Sequence, residues 1–141
     1  MNIKILLSGK IKEPYFKLGI EEFRKRLFGV VEIVEFQNDD KMLEYVEKSA
    51  TPYIVTMEIE GKMLSSVEFA NKLREVEQEG CYNEILFLIG GSDGLCDALR
   101  SLSHLKFSMS RLTFLHQEAV LILIEQIYRA YRILNNEPYH K

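Results

Sequence analysis

No apolar run in this 141-residue chain approaches the roughly 20 residues that a membrane-spanning helix needs. The opening MNIKILLSGK reaches Lys10 without a small-residue cleavage site, so a soluble cytoplasmic protein with no membrane partner is expected. Cysteine is scarce: Cys81 and Cys96 have no CxxC spacing and no His/Cys cluster nearby. That pattern supplies neither a zinc-ligand set nor a disulfide framework, and buried or idle thiols without a metal are expected instead. Positive charge is not in excess either. A net charge of −3 and a pI near 5.7 argue against a protein that simply coats nucleic acid, which would be basic. Repeats, low-complexity tracts and linkers are also missing. With 47% hydrophobic residues the chain can form a real core, so a single domain over residues 1–141 is expected.

What is present is unevenly spread. Residues 1–26 hold seven Lys/Arg against three acids, and residues 101–141 hold five against three together with all three histidines. Between them, residues 32–84 carry thirteen acids against five bases. If the two ends meet in space, they make a positive face on an acidic body, suited to a polyanion bound at one place. Ordinary solvated faces would account for the same charges.

Short apolar runs alternate with amphipathic stretches. Ile3 to Ser8 reads as a buried strand, and Pro14 then opens a helical pattern through Phe16, Ile20, Phe23 and Leu27. Val30 to Phe36 and Tyr53 to Ile59 read as further strands, separated by a polar, helix-compatible stretch to Lys48. Ser65 and Glu68 have capping-box spacing at the start of a helix that Gly80 can stop. EILFLI, Glu84 to Ile89, is apolar enough for a central strand covered on both faces. His104 to Met109 reads as a fifth strand, followed by a long helix from His116 to Leu134. The alternation predicts an α/β fold with a mostly parallel sheet flanked by helices.

In such sheets ligands bind beyond the carboxyl ends of strands, which points to GGSDG after the fourth strand and SRLTFLH after the fifth. Gly90, Gly91 and Gly94 allow close approach of a ligand to backbone, although a plain tight turn would use the same glycines. The spacing fits neither a dinucleotide fingerprint nor a phosphate-binding P-loop. On the last helix Glu118, Glu125, Arg129 and Arg132 share a narrow stripe, and the rest is largely apolar. A surface that wide suggests burial against a second copy as well as the sheet, though a central helix within one monomer would look alike. His104 reads as structural or exposed, and His116 as a turn or capping residue. The closing NNEPYHK sets a rigid proline, an aromatic ring, an imidazole and an amine side by side.

GGSDGL, SRLTFLHQ, EQIYRAYRIL and PYHK, in this order and preceded by KILLSGKIKEPYFKLGIEEFRKRL and TMEIEGKMLSS, resemble the RlmH family of the SPOUT superfamily over nearly the whole chain. The resemblance implies a trefoil-knotted α/β domain that works as a homodimer and binds S-adenosyl-L-methionine in loops of the knot. It further implies methylation of N3 of a pseudouridine in a 23S rRNA stem-loop of the assembled ribosome. Carried onto this chain, the cofactor contacts are Met57, Gly90 and the run Met109, Ser110, Arg111, Leu112, Thr113 and Phe114. Catalytic roles fall on His140, Tyr139 and Arg129, and RNA contacts on Lys141, Arg132 and His116. In this reading His140 accepts the N3 proton or stabilises the resulting anion, Tyr139 stacks on or hydrogen-bonds the base, and the tail acts across the dimer. The chain departs from the family pattern at Leu115 and Val120, where members commonly carry Pro and Arg, and Asn135-Asn136 replaces a turn that commonly contains Gly. The segment between the second and third strands is also shorter. Replacement of that arginine by Val120 would remove a cation near the RNA or cofactor face. Methylation of a different RNA, and a non-catalytic dimeric ribosome-binding protein, are the other functions these residues allow.

Overall fold

The computed structural model describes residues 1–141. Five strands and five helices alternate: β1 (Asn2–Ser8), α1 (Pro14–Arg26), β2 (Val31–Phe36), α2 (Asp39–Lys48), β3 (Pro52–Met63), α3 (Ser66–Glu79), β4 (Glu84–Ile89), α4 (Asp97–Arg100), β5 (Leu105–Ser108) and α5 (His116–Leu134). All strand pairings are parallel, in the order β2-β1-β4-β3-β5. A parallel sheet has to be covered on both faces, and the alternation of side chains along a strand divides the core accordingly. Ile85, Phe87 and Ile89 of β4 enter the larger core with Phe16 of α1, Phe69 of α3 and Leu123 of α5. Leu86 and Leu88 enter a smaller one with Met42 and Val46 of α2 and Leu99 of α4. EILFLI is thus continuous in hydrophobicity because both of its faces are buried.

The helix boundaries follow local chemistry. Pro14 opens α1, and the Asn38 side chain accepts a hydrogen bond from the Lys41 amide at 3.0 Å to start α2. Ser65 and Glu68 form both halves of a capping box on α3, and Gly80 ends that helix at φ 70°. No helix is long and apolar enough to cross a membrane.

Three local features differ from the sequence reading. β3 continues past Ile59 to Met63, and α4 is a single turn too short to leave a periodic signal. β5 is one residue shorter at each end than His104 to Met109. His104 instead clips β3: its Nδ1 accepts the Ile54 amide at 2.9 Å, and its own amide donates to the Ile54 carbonyl at 2.8 Å. The extension of β3 is not regular. Met57 and Lys62 both lie opposite Phe107, so residues 58–61 bulge out of the ladder. Gly61 lets the chain return, since a Cβ there would lie 2.8 Å from the Lys106 carbonyl carbon.

Candidate active site

The carboxyl ends of β3, β4 and β5 border a cavity of about 330 Å³, within the size range of small-molecule sites. Met57 enters it from β3, Gly90 from the end of β4, and Met109, Ser110, Leu112, Thr113 and Phe114 from the loop after β5. Seven of the eight residues expected to contact a cofactor therefore share one cavity, although they come from three separate segments. The turn after β4 is closed by a hydrogen bond from the Gly94 amide to the Gly91 carbonyl at 3.0 Å. It is packed so tightly that a Cβ on Gly90 would stand 2.4 Å from the Gly94 carbonyl carbon. Only glycine fits at Gly90 without moving backbone.

Arg111 is the exception. It does not line the cavity; its guanidinium donates to the carbonyl oxygens of Ile59 and Gly61, the latter at 3.1 Å. It therefore ties the loop after β5 to the bulge of β3, whose Glu58 and Ile59 form another part of the wall. A sequence window around Arg111 holds no sign of this, because the partners are backbone atoms some 50 residues away.

The start of α5 completes the site. His116 lines the cavity, with Nε2 3.2 Å from the Lys10 carbonyl oxygen, and Gly9 beside it has φ 127°. Gln117, largely buried, accepts the amides of Lys12 and Glu13 at 2.6 and 2.9 Å and so fastens the loop after β1 to α5. Leu115, at the N-cap, offers no side-chain acceptor to the first turn of the helix. Glu58 and His116 are the only ionisable side chains on the cavity wall, and no Lys or Arg lines it. That charge pattern suits a neutral or cationic ligand better than a polyphosphate.

The C-terminal residues form a second cluster on α5, about 20 Å along the helix from His116 at 1.5 Å per residue. Asn136, at φ 54°, turns the chain back. Arg132 clamps it by donating to Glu137 at 2.9 Å and to the Pro138 carbonyl at 3.2 Å. Glu125 accepts the Tyr139 hydroxyl at 2.8 Å and both Nε and Nη2 of Arg129 at 3.1 and 2.8 Å. The Arg129 guanidinium lies 4.8 Å from the Tyr139 ring centre, and Tyr128 meets that ring edge-on. Burial, reinforced by the hydrogen bond and charge of Glu125, pushes the Tyr139 hydroxyl above its ordinary pKa. Arg129 Nη1 stands 3.1 Å from His140 Nδ1. Arginine has no acceptor, so in this contact Nδ1 of His140 is the acceptor. The Glu125–Arg129 pair is thus more than helix-stabilising, since it carries the tail. Lys141 is exposed beyond it.

Within one chain the structure does not bring Arg129, Tyr139 and His140 into the cavity. It does bring the basic ends of the chain together: the Arg26 guanidinium lies 5.6 Å from the Tyr128 ring centre. Val120 is fully buried in the larger core, where it packs as an apolar side chain. Leu115 is 61% exposed at the cavity rim. The cysteines are not buried: Cys81 is exposed and Cys96 half-buried.

A family model described as "Predicted SPOUT methyltransferase" matches residues 1–140 and assigns the chain to the SPOUT class of methyltransferases, with which the parallel sheet and the cavity at its carboxyl edge agree. Solved structures agree on the fold. A probable methylase family protein from Haemophilus influenzae Rd KW20 superposes with TM-score 0.62 at 12% identity, over 99% of this chain and 70% of that one. The methyltransferase AviRb from Streptomyces viridochromogenes, in complex with AdoMet, gives 0.55 at 14% identity over 94% and 58%. Sequence relatives are closer. Ribosomal RNA large subunit methyltransferase H of Clostridioides difficile is 42% identical, and that of Bacillus pumilus 39%, each covering the whole of both chains. Both alignments run over 160 positions against 141 residues here, so the relatives carry additional residues. The chain belongs to the RlmH family of SPOUT methyltransferases.

Proposed function

We propose that the protein methylates N3 of a pseudouridine in a 23S rRNA stem-loop of the assembled ribosome, with S-adenosyl-L-methionine as methyl donor. The observation that carries this reading is the cavity built by the Gly90 turn and the loop after β5, in a chain 42% identical to a large-subunit rRNA methyltransferase. The donor fits the residues present. Backbone at Gly90 and the apolar side chains of Leu112 and Phe114 suit a flat ring, Glu58 suits a positive group, and the uncapped first turn of α5 suits a carboxylate. In this reading the loops around the cavity are threaded as a trefoil knot. The tail of a second copy closes the cavity of the first, which resolves the separation between the two clusters in a homodimer.

When bound, S-adenosyl-L-methionine supplies a methyl group already activated by its sulfonium. The protein's work is then to align the attacking nitrogen, keep competing water away from the methyl group and manage one proton. Arg129, through Glu125 and His140, fixes the orientation of the tail. The Tyr139 hydroxyl is committed to Glu125 and anchors the tail, while His140, which accepts from Arg129 at Nδ1, has Nε2 free to donate toward a base oxygen. That contact stabilises charge that develops as the N3 proton leaves to water. His140 becomes a proton acceptor only if its contact with Arg129 is broken. Tyr139 also offers a ring on which the base can stack, and Lys141, Arg132 and His116 meet the RNA strand.

Methyl transfer from labelled S-adenosyl-L-methionine to assembled ribosomes that lack the modification, with mass spectrometry of the stem-loop, tests the proposal. A methyl group on pseudouridine N3 is expected. Cofactor binding without transfer to that nucleotide would direct the activity to another RNA.

A further inference from the structure

The turn after α1 presents an unusual residue. Phe28 is 94% exposed, whereas Leu27 beside it is 5% exposed. Phe28 also stands at φ 51°, followed by Gly29 at φ 78°, so two successive residues are left-handed. A bulky aromatic is strained at such a position, where glycine or asparagine would serve, and no burial of the Phe28 ring offsets that strain.

Its surroundings are cationic. Arg24, Lys25 and Arg26 form the last turn of α1; Arg24 pairs with Glu21 at 2.9 Å, Arg26 with Glu22 at 2.8 Å, and Lys25 is exposed and pairs with no carboxylate. The Arg26 guanidinium lies 5.3 Å from the Phe23 ring and 5.6 Å from that of Tyr128, which in turn packs on Tyr139 at 4.8 Å. The turn is therefore continuous with the tail. Across this surface Arg24, Lys25, Arg26, Arg129, Arg132 and Lys141 face Glu21, Glu22, Glu125 and Glu137, a positive balance on a chain whose net charge is −3.

We propose that the α1 turn, Arg24 to Phe28, is an RNA contact in which Phe28 stacks on an unpaired base and Lys25 with its neighbours meets the flanking phosphates. A lone exposed ring among cations is the composition that binds single-stranded RNA, where stacking tolerates any base and cations follow the backbone. Protein docking surfaces instead surround an aromatic anchor with a wider apolar patch. The inference rests on the function proposed above and adds to it a contact outside the cavity and the tail.

The test measures association of the full-length protein with unmodified ribosomes, alongside methyl transfer, for wild type, Phe28→Gly and Lys25→Gln. Phe28→Gly relieves the backbone strain, so its thermal midpoint should stay the same or rise while its Kd for ribosomes rises about tenfold. Lys25→Gln should reduce the slope of log Kd against log salt by about one. S-adenosyl-L-methionine affinity should be unchanged in both. Unaltered Kd and salt slope, or failure of the wild type to bind ribosomes, would overturn the inference. Binding that weakens as expected, but without methyl transfer by the wild type, would uphold the surface and overturn the proposed reaction. A photoreactive phenylalanine analogue at position 28 should crosslink to rRNA; a crosslink to a ribosomal protein or to a second copy would reassign the surface.

Discussion

Gly90 and Tyr139 make separable demands on the chemistry. At Gly90 the demand is for space, since any Cβ would strike the backbone of Gly94 and Leu95 at 2.4 to 2.5 Å. Gly90→Ala has to push the turn apart, and overpacking of this kind costs about 1–3 kcal/mol. Calorimetric titration with S-adenosyl-L-methionine should show at least about a tenfold loss of affinity, and unchanged affinity would remove the turn from the site. At Tyr139 the demand is for a proton. Burial and Glu125 hold the hydroxyl above its ordinary pKa of 10, so its hydrogen bond is fully present below pH 10 and is lost as pH rises through the higher value of the folded state. Tyr139→Phe should lower kcat about fivefold below pH 10, the equivalent of one hydrogen bond of about 1 kcal/mol. The gap between variant and wild type should close at higher pH. A gap that stays constant across the profile would mean that the hydroxyl does not anchor the tail.

At the scale of elements, the site depends on the way β3 bulges and β5 stops. Arg111 joins the bulge to the following loop through two carbonyl oxygens without lining the cavity itself. Arg111→Ala should therefore weaken cofactor binding about tenfold by loosening the walls, with little effect on thermal stability. Arg111→Lys should restore part of it, because both bonds arise from one nitrogen, Nη1, and a single ammonium also has donors for two carbonyl oxygens. An Arg111→Ala protein that binds cofactor normally would show that the loop is rigid without the clamp. These elements also show where sequence reading succeeds. Pro14, the Ser65–Glu68 box and Gly80 act within one turn of their own positions, so the boundaries of α1 and α3 are legible from local spacing. The bulge at residues 58–61 depends on how closely Gly61 passes Lys106, and the clip between His104 and Ile54 joins residues 50 apart. Neither leaves a periodic trace.

For the molecule as a whole, the candidate site divides in two. Gly90 and the loop after β5 follow strand ends, so the parallel alternation of the chain predicts that they meet, whereas Met57 lies inside β3 and is indicated only by the family resemblance. The catalytic assignment of the tail came from the order and identity of motifs. Its hydrogen bonds to α5 and its distance from the cavity needed coordinates, and helical periodicity could not supply either. The exposure of Phe28 is illegible for a similar reason, because nothing in a Leu-Phe-Gly-Val string says that the ring is outside and its backbone left-handed. A long helix with both a buried face and a charged stripe is consistent with pairing between copies. On the proposed account one copy supplies the cavity and the other the tail.

Mixing two inactive variants tests that account most directly. Gly90→Ala disables the cavity and leaves the tail intact, while His140→Ala does the reverse. After unfolding and co-refolding at equal concentrations, about half of the dimers should be mixed, and each mixed dimer should hold one cavity and one tail that are both unaltered. With S-adenosyl-L-methionine held well below the Kd of Gly90→Ala but saturating for the intact cavity, methyl transfer to unmodified ribosomes should return to about one quarter of the wild-type rate, from a much lower background for either variant refolded alone. No recovery, with mixed dimers demonstrated by mass spectrometry, would contradict a site shared between copies and require the tail to reach the cavity of its own chain.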